Sequence, residues 1–384
     1  MAGKHIALTV ALLILSGTAA AAPIKLGVIL PRTGPEAPIG EEMANGIKLA
    51  QEDLKRSGLD VDIQWEDDTG KPQIAMSAFE KLATRDGVAG VVGAYTSAST
   101  SAVARLAEKY KVPLLIPISS KDEITMQGYR WVFRINSPAS FYVEALLDMV
   151  RSVGAPRSVA IIYEDTDFGN STARSLKAYA AKHDIAVLAE APYSKGSPDY
   201  RSTLFKVRSL KPDLVFMVSY IADAILLMRQ SREVGVQPMA FLGAGGGFNL
   251  AQFAAERSIS TNVITSTQWS EDVRWPGASA FGKRYRERFG LDSSHHGACS
   301  YEVTRILAET AAKARGDRAA TRAGLRGGQW SGLLGDVKFE DFNGFTNQNR
   351  HPILVQQIQD GRYELVFPAA YANKKPVFPF PGWP

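Results

Sequence analysis

The sequence predicts an α/β protein with two doubly wound parallel-sheet lobes, and two observations support this. Short, almost wholly apolar runs such as IKLGVIL and SVAIIY alternate with segments whose apolar residues recur every three or four positions. Strands that are apolar throughout are typical of parallel sheets covered by helices on both faces. The alternation also restarts near residue 140, and 384 residues are enough for two separate cores.

The first run of elements begins with the strand IKLGVIL and the Gly/Pro-rich turn PRTGPEAPIG. The helix that follows has one apolar face, formed by Met43, Ile47, Ala50 and Leu54. The further strands of this run are VDIQW, VAGVVGAY and VPLLIPI, with helices predicted over 72–85 and 98–110. This order is that of a parallel sheet whose crossovers are helices.

The second run starts with a helix marked by the spacing of Val143, Leu146, Leu147 and Val150. Its strands are SVAIIY at 158–163, IAVLAEA, LVFMVSY and AFLG, with helices predicted over 170–182, 199–210 and 222–234. A later helix over 298–315 is expected to pack on one of the lobes. HPILVQQI and YELVF predict a hairpin around Asp360 and Gly361.

Residues 1–22 have the order of a secretory signal peptide. Lys4 and His5 precede an apolar stretch over 6–15, which is followed by small residues and four alanines, so cleavage is expected near Ala21. A membrane-spanning helix needs about 20 apolar residues, and this stretch is shorter. The sequence therefore predicts a protein exported to the periplasm.

Composition and motifs exclude several classes of function. The net charge of +5 comes from scattered basic residues, which predicts no nucleic-acid partner. Cys299 is the only cysteine, so no internal disulfide forms, and it is predicted to be a small buried side chain. GxxxxGK[ST] and GxSxG are absent, and residues 243–248 break the dinucleotide-binding pattern. We expect no enzymatic activity and no cofactor.

Histidine spacing gives no metal site. His295 and His296 form the only histidine pair, and adjacent histidines rarely chelate a metal without a further ligand. We interpret the pair as loop or helix-entry surface.

The stretch VVGAYTSAST ends a buried strand at Tyr95 and continues into small hydroxyls. Ser97 lies where the N-cap of the next helix is expected, and a helix N-terminus favours a negative group. Capping alone also explains such residues. The next strand, however, ends in the same way, because Ile118 is followed by Ser119 and Ser120. Since ligands of open α/β sheets bind at the carboxyl ends of strands, the two clusters together predict a carboxylate site.

In the second run, YEDTDFG and VSYIADA place Phe168 and Tyr220 at strand exits. Rings facing the hydroxyl clusters suit an apolar or aromatic ligand body, although lobe core is the alternative for both residues.

In their order and spacing these segments resemble the type I periplasmic solute-binding proteins of ABC importers, in the Leu/Ile/Val-binding family. The resemblance extends from IKLGVILPRTGPEAPIG to about residue 360 and includes AIIYEDTDFG and LVFMVSY followed by LLMRQSREVG. It implies two lobes joined by three crossings that close on a small ligand. The lobes would be residues 23–139 with 270–347 and residues 140–269 with 348–384.

The resemblance also implies the roles of the site residues. The serine matching Ser97 binds an α-carboxylate, the pair matching Ser119 and Ser120 contacts carboxylate and ammonium groups, and aromatics matching Phe168 and Tyr220 close over the ligand. The family's acid for the α-ammonium would fall at or near Ala244, where no acid is present. The predicted ligand-binding residues are Tyr95, Ser97, Ile118, Ser119, Ser120, Phe168, Tyr220 and Ala244.

A buried ammonium without an anionic partner is costly, so either another acid replaces the missing one or the ligand lacks an ammonium. The candidate replacements are Glu164, Asp165, Asp167, Asp223 and Glu271. We therefore expect a monomeric substrate-binding component that delivers a branched-chain or other amino acid to an inner-membrane ABC permease. The alternatives are the same transport role for an aromatic or aliphatic acid or an amide, and a periplasmic ligand sensor.

Overall fold

The computed structural model describes residues 22–383 and contains two seven-stranded sheets. The first sheet has the order β13-β14-β5-β4-β3-β1-β2, and only its β13–β14 pair is antiparallel. Its strands are β1 (Ile24–Leu30), β2 (Val61–Asp67), β3 (Gly90–Gly93), β4 (Leu114–Ile116), β5 (Val132–Arg134), β13 (Phe339–Phe342) and β14 (Phe345–Asn349).

The second sheet has the order β16-β15-β10-β9-β8-β6-β7, with β15 antiparallel to both of its neighbours. Its strands are β6 (Ser158–Glu164), β7 (Ala186–Tyr193), β8 (Leu214–Val218), β9 (Ala240–Ala244), β10 (Ile264–Thr267), β15 (Leu354–Gln359) and β16 (Arg362–Phe367). A separate two-stranded hairpin joins β11 (Trp330–Gly332) to β12 (Gly335–Val337).

Helices cover both sheets. Around the first sheet lie α1 (Ala37–Arg56), α2 (Pro72–Thr84), α3 (Ser97–Tyr110), α10 (Ala278–Phe289), α11 (His295–Lys313) and α12 (Arg318–Gly327). Around the second lie α4 (Ala139–Val153), α5 (Asp167–Lys182), α6 (Arg201–Leu210), α7 (Ile221–Val234), α8 (Ala251–Ala255) and α9 (Arg257–Ser260). Among residues 22–383 the chain passes between the two sheets three times, so the predicted fold class is confirmed.

The apolar strands are buried on both faces, as a parallel sheet between helices requires. In β1, for example, Leu26, Val28 and Ile29 are all fully buried. The predicted hairpin at Asp360 and Gly361 is confirmed, because both residues adopt positive φ and β15 pairs with β16.

Sequence patterns missed several elements: β5, β10, α8, α9, α10, α12 and the two hairpins between residues 330 and 349. β5 and β10 have only three and four residues, and too few positions remain for a periodicity to be read. The predicted signal peptide lies outside the described residues, apart from residue 22. No helix within residues 22–383 has the length and apolar character to cross a membrane.

Candidate ligand-binding site

A small cavity lies between the lobes, at the carboxyl ends of β3 and β4 on one side and of β6, β8 and β9 on the other. It encloses ≈ 30 Å³, so a solute larger than one or two waters requires the lobes to move apart. Seven of the eight predicted residues line it, and Ala244 does not. The lining consists of Tyr95, Ser97, Ile118, Ser119, Ser120, Tyr142, Phe168, Tyr220, Gly245, Gly246, His295 and His296.

Ser97 lies in the first turn of α3, one position after the N-cap. The predicted cap position is wrong by one residue, because the Thr96 hydroxyl accepts the Ser99 N–H at 3.2 Å and so caps the helix itself. The Ser97 hydroxyl accepts the Lys121 N–H at 3.3 Å. Its own proton is therefore left to donate towards the cavity.

Ser119 and Ser120 follow β4 but their hydroxyls have different surroundings. Ser119 donates to the Tyr95 carbonyl at 2.7 Å and contacts the Thr100 hydroxyl, so its side chain ties the ends of β3 and β4 together. No residue in 22–383 hydrogen-bonds the Ser120 hydroxyl, which remains free for a ligand. Ser119 thus stabilises the loops after β3 and β4, whereas the Ser120 hydroxyl faces the cavity.

A buried guanidinium, which sequence reasoning missed, lies beneath these serines. Arg134 is fully buried at the end of β5, and although burial lowers its pKa to about 10, it stays charged at neutral pH. The carboxylates of Asp122 and Glu123 act on it only through space. Its hydrogen-bond acceptors are all uncharged: Gln348 Oε1 (2.6 Å), Thr125 Oγ1 (2.7 Å), and the carbonyls of Lys121 (2.7 Å) and Ser119 (3.2 Å).

Aromatic rings from both lobes form the other wall of the cavity. The ring centroids of Tyr95 and Tyr220 lie 5.6 Å apart across the lobes, and Phe168 lies 5.9 Å from Tyr220. Burial raises the pKa of both tyrosines well above the usual value, so the phenols stay neutral. Tyr142, also missed from sequence, hydrogen-bonds Gln268 Nε2 at 2.6 Å and Asn136 Nδ2 at 2.5 Å.

The cavity lining contains no carboxylate. Ala244 is the fully buried last residue of β9, and Gly245 and Gly246 line the cavity in its place. Glu164 lies behind Tyr220, accepting the Tyr220 N–H at 3.4 Å and the Thr166 hydroxyl at 2.8 Å. Burial raises the pKa of Glu164 to about 8.

The other candidate acids are engaged elsewhere. Asp167 pairs with Lys121, and Asp165 accepts from Asn170. Asp223 accepts from the Gly196 N–H and the Tyr200 hydroxyl, and Glu271 pairs with Arg286. None of the five acids considered as replacements therefore lines the cavity.

His295 and His296 were expected at the surface, and that expectation is wrong. They begin α11, where Ser294 caps the helix, and they are only 4% and 1% exposed. Burial lowers the pKa of His295 to about 3 and that of His296 well below its usual value, so both rings are neutral. The helix starts three residues before the predicted position. The serine ahead of the pair was the available signal of this earlier start.

Within residues 22–383, three ion pairs join the lobes around the cavity. Lys121 Nζ lies 2.6 Å from Asp167 Oδ2, and Arg174 Nη2 lies 2.5 Å from Glu123 Oε1. Lys195 pairs with the buried Glu36 and lies 4.8 Å above the Tyr220 ring. These contacts hold the lobes in a closed arrangement.

A larger groove of ≈ 790 Å³ also borders both lobes, near Trp269 and the ends of β15 and β16. Several of its charged side chains already neutralise each other, since Arg286 pairs with both Glu271 and Asp292. The smaller cavity is the better candidate because the hydroxyls and the aromatic rings line it and the buried guanidinium lies beneath its serines. Within the described residues no cluster of three or more histidine, cysteine or acidic side chains is arranged to hold a metal.

Comparisons with known proteins agree with this architecture. Residues 23–362 match the family model described as periplasmic binding protein. The chain is 29% identical to Leu/Ile/Val-binding protein homolog 7 of Brucella suis biovar 1 (strain 1330), over 96% of this chain and 98% of the relative. It is 28% identical to Leu/Ile/Val-binding protein homolog 8 of Brucella abortus (strain 2308), over 94% of each.

Solved structures with the same fold have bound different solutes. The leucine-binding protein LivK of Thermotoga maritima has a TM-score of 0.81 at 21% identity, over 90% of this chain and 98% of that chain. A solute-binding protein of Rhodopseudomonas palustris BisB5, in complex with 3,4-dihydroxybenzoic acid, has a TM-score of 0.80 at 20% identity, over 93% and 98%. One from R. palustris in complex with benzoate has a TM-score of 0.83 at 18% identity, over 94% and 100%.

Proposed function

The chain belongs to the periplasmic binding protein family, and from that membership we propose that it captures a small carboxylate without an ammonium group for an ABC importer. The observation that carries the proposal is the character of the cavity, which has hydroxyl donors and no acid. The remaining support comes from the buried guanidinium of Arg134 and from the backbone carbonyls of the loop after β4.

A carboxylate suits the first-lobe side of the cavity. The hydroxyls of Ser97 and Ser120 can donate to it, and hydrogen bonds to a charged acceptor are stronger than those between neutral groups. Arg134 lies beneath the same loop and has only uncharged acceptors. An anion above it therefore reduces the cost of burying the guanidinium.

An ammonium has no anionic partner in the cavity lining. The carbonyls of Ile118, Ser119 and Ser120 already accept from Asn136 Nδ2, Arg134 Nη1 and the Ala139 N–H, respectively. The nearby carboxyl of Glu164 has a pKa raised to about 8, so it is largely protonated at neutral pH. A buried ammonium would thus lack a counter-ion, which is costly.

An amino acid is the second candidate, and the comparisons favour it. The relatives are named Leu/Ile/Val-binding homologs, and the structure from Thermotoga maritima is titled a leucine-binding protein. Benzoate and 3,4-dihydroxybenzoic acid occupy two other structures of the same fold, so the fold itself admits both classes.

The proposed transport role needs no chemical step. Residues 1–22 direct export and are removed, and the mature monomer takes up its ligand while the lobes are apart. Ligand then favours the closed arrangement by as much as it binds that form more tightly. The surfaces of the two closed lobes dock on an inner-membrane permease.

A melting-temperature screen of the mature chain tests the ligand class, followed by calorimetry of the compounds that bind. The panel pairs each amino acid with its deaminated analogue: L-leucine with 4-methylpentanoate, and L-phenylalanine with 3-phenylpropanoate, together with benzoate and benzamide. A ligand at 100 times its Kd stabilises the native state by about 2.7 kcal/mol. Stabilisation by the acids alone supports the proposal, and stabilisation by the amino acids alone overturns it.

Ser120→Ala locates the binding site, because it removes one free hydroxyl from the cavity. It should weaken binding of the acids and leave the unliganded melting temperature unchanged. If the acids raise the melting temperature of this variant as much as that of the wild-type chain, they bind elsewhere.

A further inference from the structure

A chain of hydrogen bonds runs from a buried carboxyl to the ring of His296. Oε1 of Glu42 accepts the Ser294 N–H at 2.6 Å, the Gly297 N–H at 3.3 Å and the Ser294 hydroxyl at 2.8 Å. The Ser294 oxygen in turn lies 2.6 Å from Nδ1 of His296. Glu42 is only 8% exposed and Ser294 is the N-cap of α11, so the chain is part of the packed structure.

This order of donors assigns the tautomer of the ring. Burial raises the pKa of Glu42, but Oε1 already accepts the N–H groups of Ser294 and Gly297 and lies within reach of the Ser293 hydroxyl. An oxygen that accepts these N–H groups does not itself carry the proton, so it acts as an acceptor towards the Ser294 hydroxyl. The single hydroxyl proton of Ser294 is used in that bond, and its oxygen can only accept from His296. The proton of the neutral imidazole is therefore on Nδ1, and Nε2 carries the lone pair.

Nε2 of His296 faces the cavity. A Cβ built on Gly246, which lines the cavity from the second lobe, would lie 3.1 Å from this nitrogen. No residue in the described part of the chain donates a hydrogen bond to Nε2, and the centroid of the Tyr95 ring is 6.0 Å from that of His296. The neighbouring His295 ring, 4.2 Å away, packs against it and limits its rotation.

The same logic applies to His295. The Thr267 hydroxyl donates to the Trp269 carbonyl at 2.9 Å, so its contact of 3.3 Å with Nδ1 of His295 makes the ring the donor. Both rings of the pair thus keep their protons on Nδ1. Neither ring can donate a proton from Nε2 while these bonds hold.

We propose that His296 determines specificity by presenting a neutral hydrogen-bond acceptor to the ligand. The preferred ligand then carries an uncharged donor, a hydroxyl or an amide N–H, besides its carboxylate. This inference rests on the proposed function, because it concerns the same cavity. The physical reason is that a ligand without the donor leaves a buried acceptor unpaired when the lobes close. Glu42 and Ser294 act as positioning residues that fix which nitrogen is free.

Imidazole ¹⁵N NMR of the mature wild-type chain tests the tautomer without any ligand. Resonances are assigned with His296→Phe, and the expected result is a proton on Nδ1 and an unprotonated Nε2. Ser294→Ala should shift the ring towards a mixture of tautomers. A proton on Nε2 in the wild-type protein overturns the inference, whatever the variants do.

Calorimetry with matched acids tests the preference. The pairs are benzoate with 3- and 4-hydroxybenzoate, and 4-methylpentanoate with 2-hydroxy-4-methylpentanoate. The wild-type protein should bind one hydroxyl-bearing member of a pair about 10- to 100-fold more tightly than its parent acid. His296→Phe should lose that preference, whereas the control His183→Phe, half-buried against Tyr179 outside the cavity, should keep it.

The outcomes separate the two proposals. If no acid binds, the proposed function is overturned and the preference with it. If acids bind but the hydroxyl changes no affinity, or if His296→Phe keeps the preference, only the role of His296 is overturned. Loss of the preference in His296→Phe with the wild-type proton on Nδ1 supports it.

Discussion

Replacing Gly246 with alanine should weaken ligand binding by blocking closure of the lobes. Gly246 begins a short turn of the second lobe over Gly246–Phe248. A Cβ at this position would lie 2.4 Å from Tyr95 Oη and 2.8 Å from Ile39 Cδ1, both in the first lobe. Because these are contacts across the lobes, the added methyl group clashes only when they meet.

The magnitude follows from the cost of inserting a methyl group into a packed interface, about 1–3 kcal/mol. The cost falls on the closed form alone, so it appears in the affinity rather than in the stability of the open form. A loss of 1–3 kcal/mol corresponds to a Kd about 5- to 150-fold higher.

The assay is calorimetry of the variant with the acid that binds the wild-type chain most tightly, together with the melting temperature of the unliganded protein. Two other glycines serve as controls. Gly247→Ala would place its Cβ 2.6 Å from the Ser219 carbonyl of the same lobe, so its unliganded melting temperature should fall. Gly327→Ala at the end of α12 meets open space and should change neither quantity. An unchanged Kd for Gly246→Ala, or an equal loss of stability in Gly246→Ala and Gly247→Ala, would refute the reasoning.

Three further predictions concern other parts of the site. Ser120→Ala should weaken binding of a carboxylate about 10- to 100-fold in calorimetry, with little change in melting temperature. Ser119→Ala should instead lower the melting temperature, because it removes the hydrogen bond that joins the ends of β3 and β4. The reverse pattern would contradict these roles of the two serines. Burial raises the pKa of Glu164 to about 8, so the folded chain holds a proton that the unfolded chain releases, and the free energy of unfolding should fall as pH rises from about 5 to 8. Glu164→Gln should remove up to about 1.4 kcal/mol per pH unit of that slope in urea titrations, and equal slopes would show that the carboxyl is already ionised. Asp167→Asn breaks the half-exposed ion pair with Lys121. Ligand dissociation measured by stopped flow should accelerate less than about fivefold, and the difference in rate from the wild-type chain should vanish in high salt. A larger, salt-independent acceleration would mean that the pair is desolvated.

Local patterns predicted the fold class because each strand and helix carries its own periodicity. Apolar runs such as β1 and β8 are long enough to be recognised, and the restart near residue 140 revealed two lobes. Elements of three or four residues carry too little pattern, which is why β5 and β10 were missed.

The same limit applies to the site. Ser97, Ser119 and Ser120 were found because they follow recognisable strands, and they lie on one cavity, although their role in binding stays a prediction. Arg134 was missed because it ends a strand too short to recognise. His295 and His296 were misinterpreted because their helix begins three residues before its apolar face becomes visible in the sequence.

By itself, the sequence determined which strands end in hydroxyls and that no acid stands at Ala244, since both follow from residue identity and strand order. Only the tertiary structure decided which of those hydroxyls is free. It also decided which acids lie away from the cavity and which nitrogen of His296 faces it. These properties depend on partners far apart in the chain, such as Glu42 and Ser294, and only the packing of the lobes brings such partners within hydrogen-bond distance.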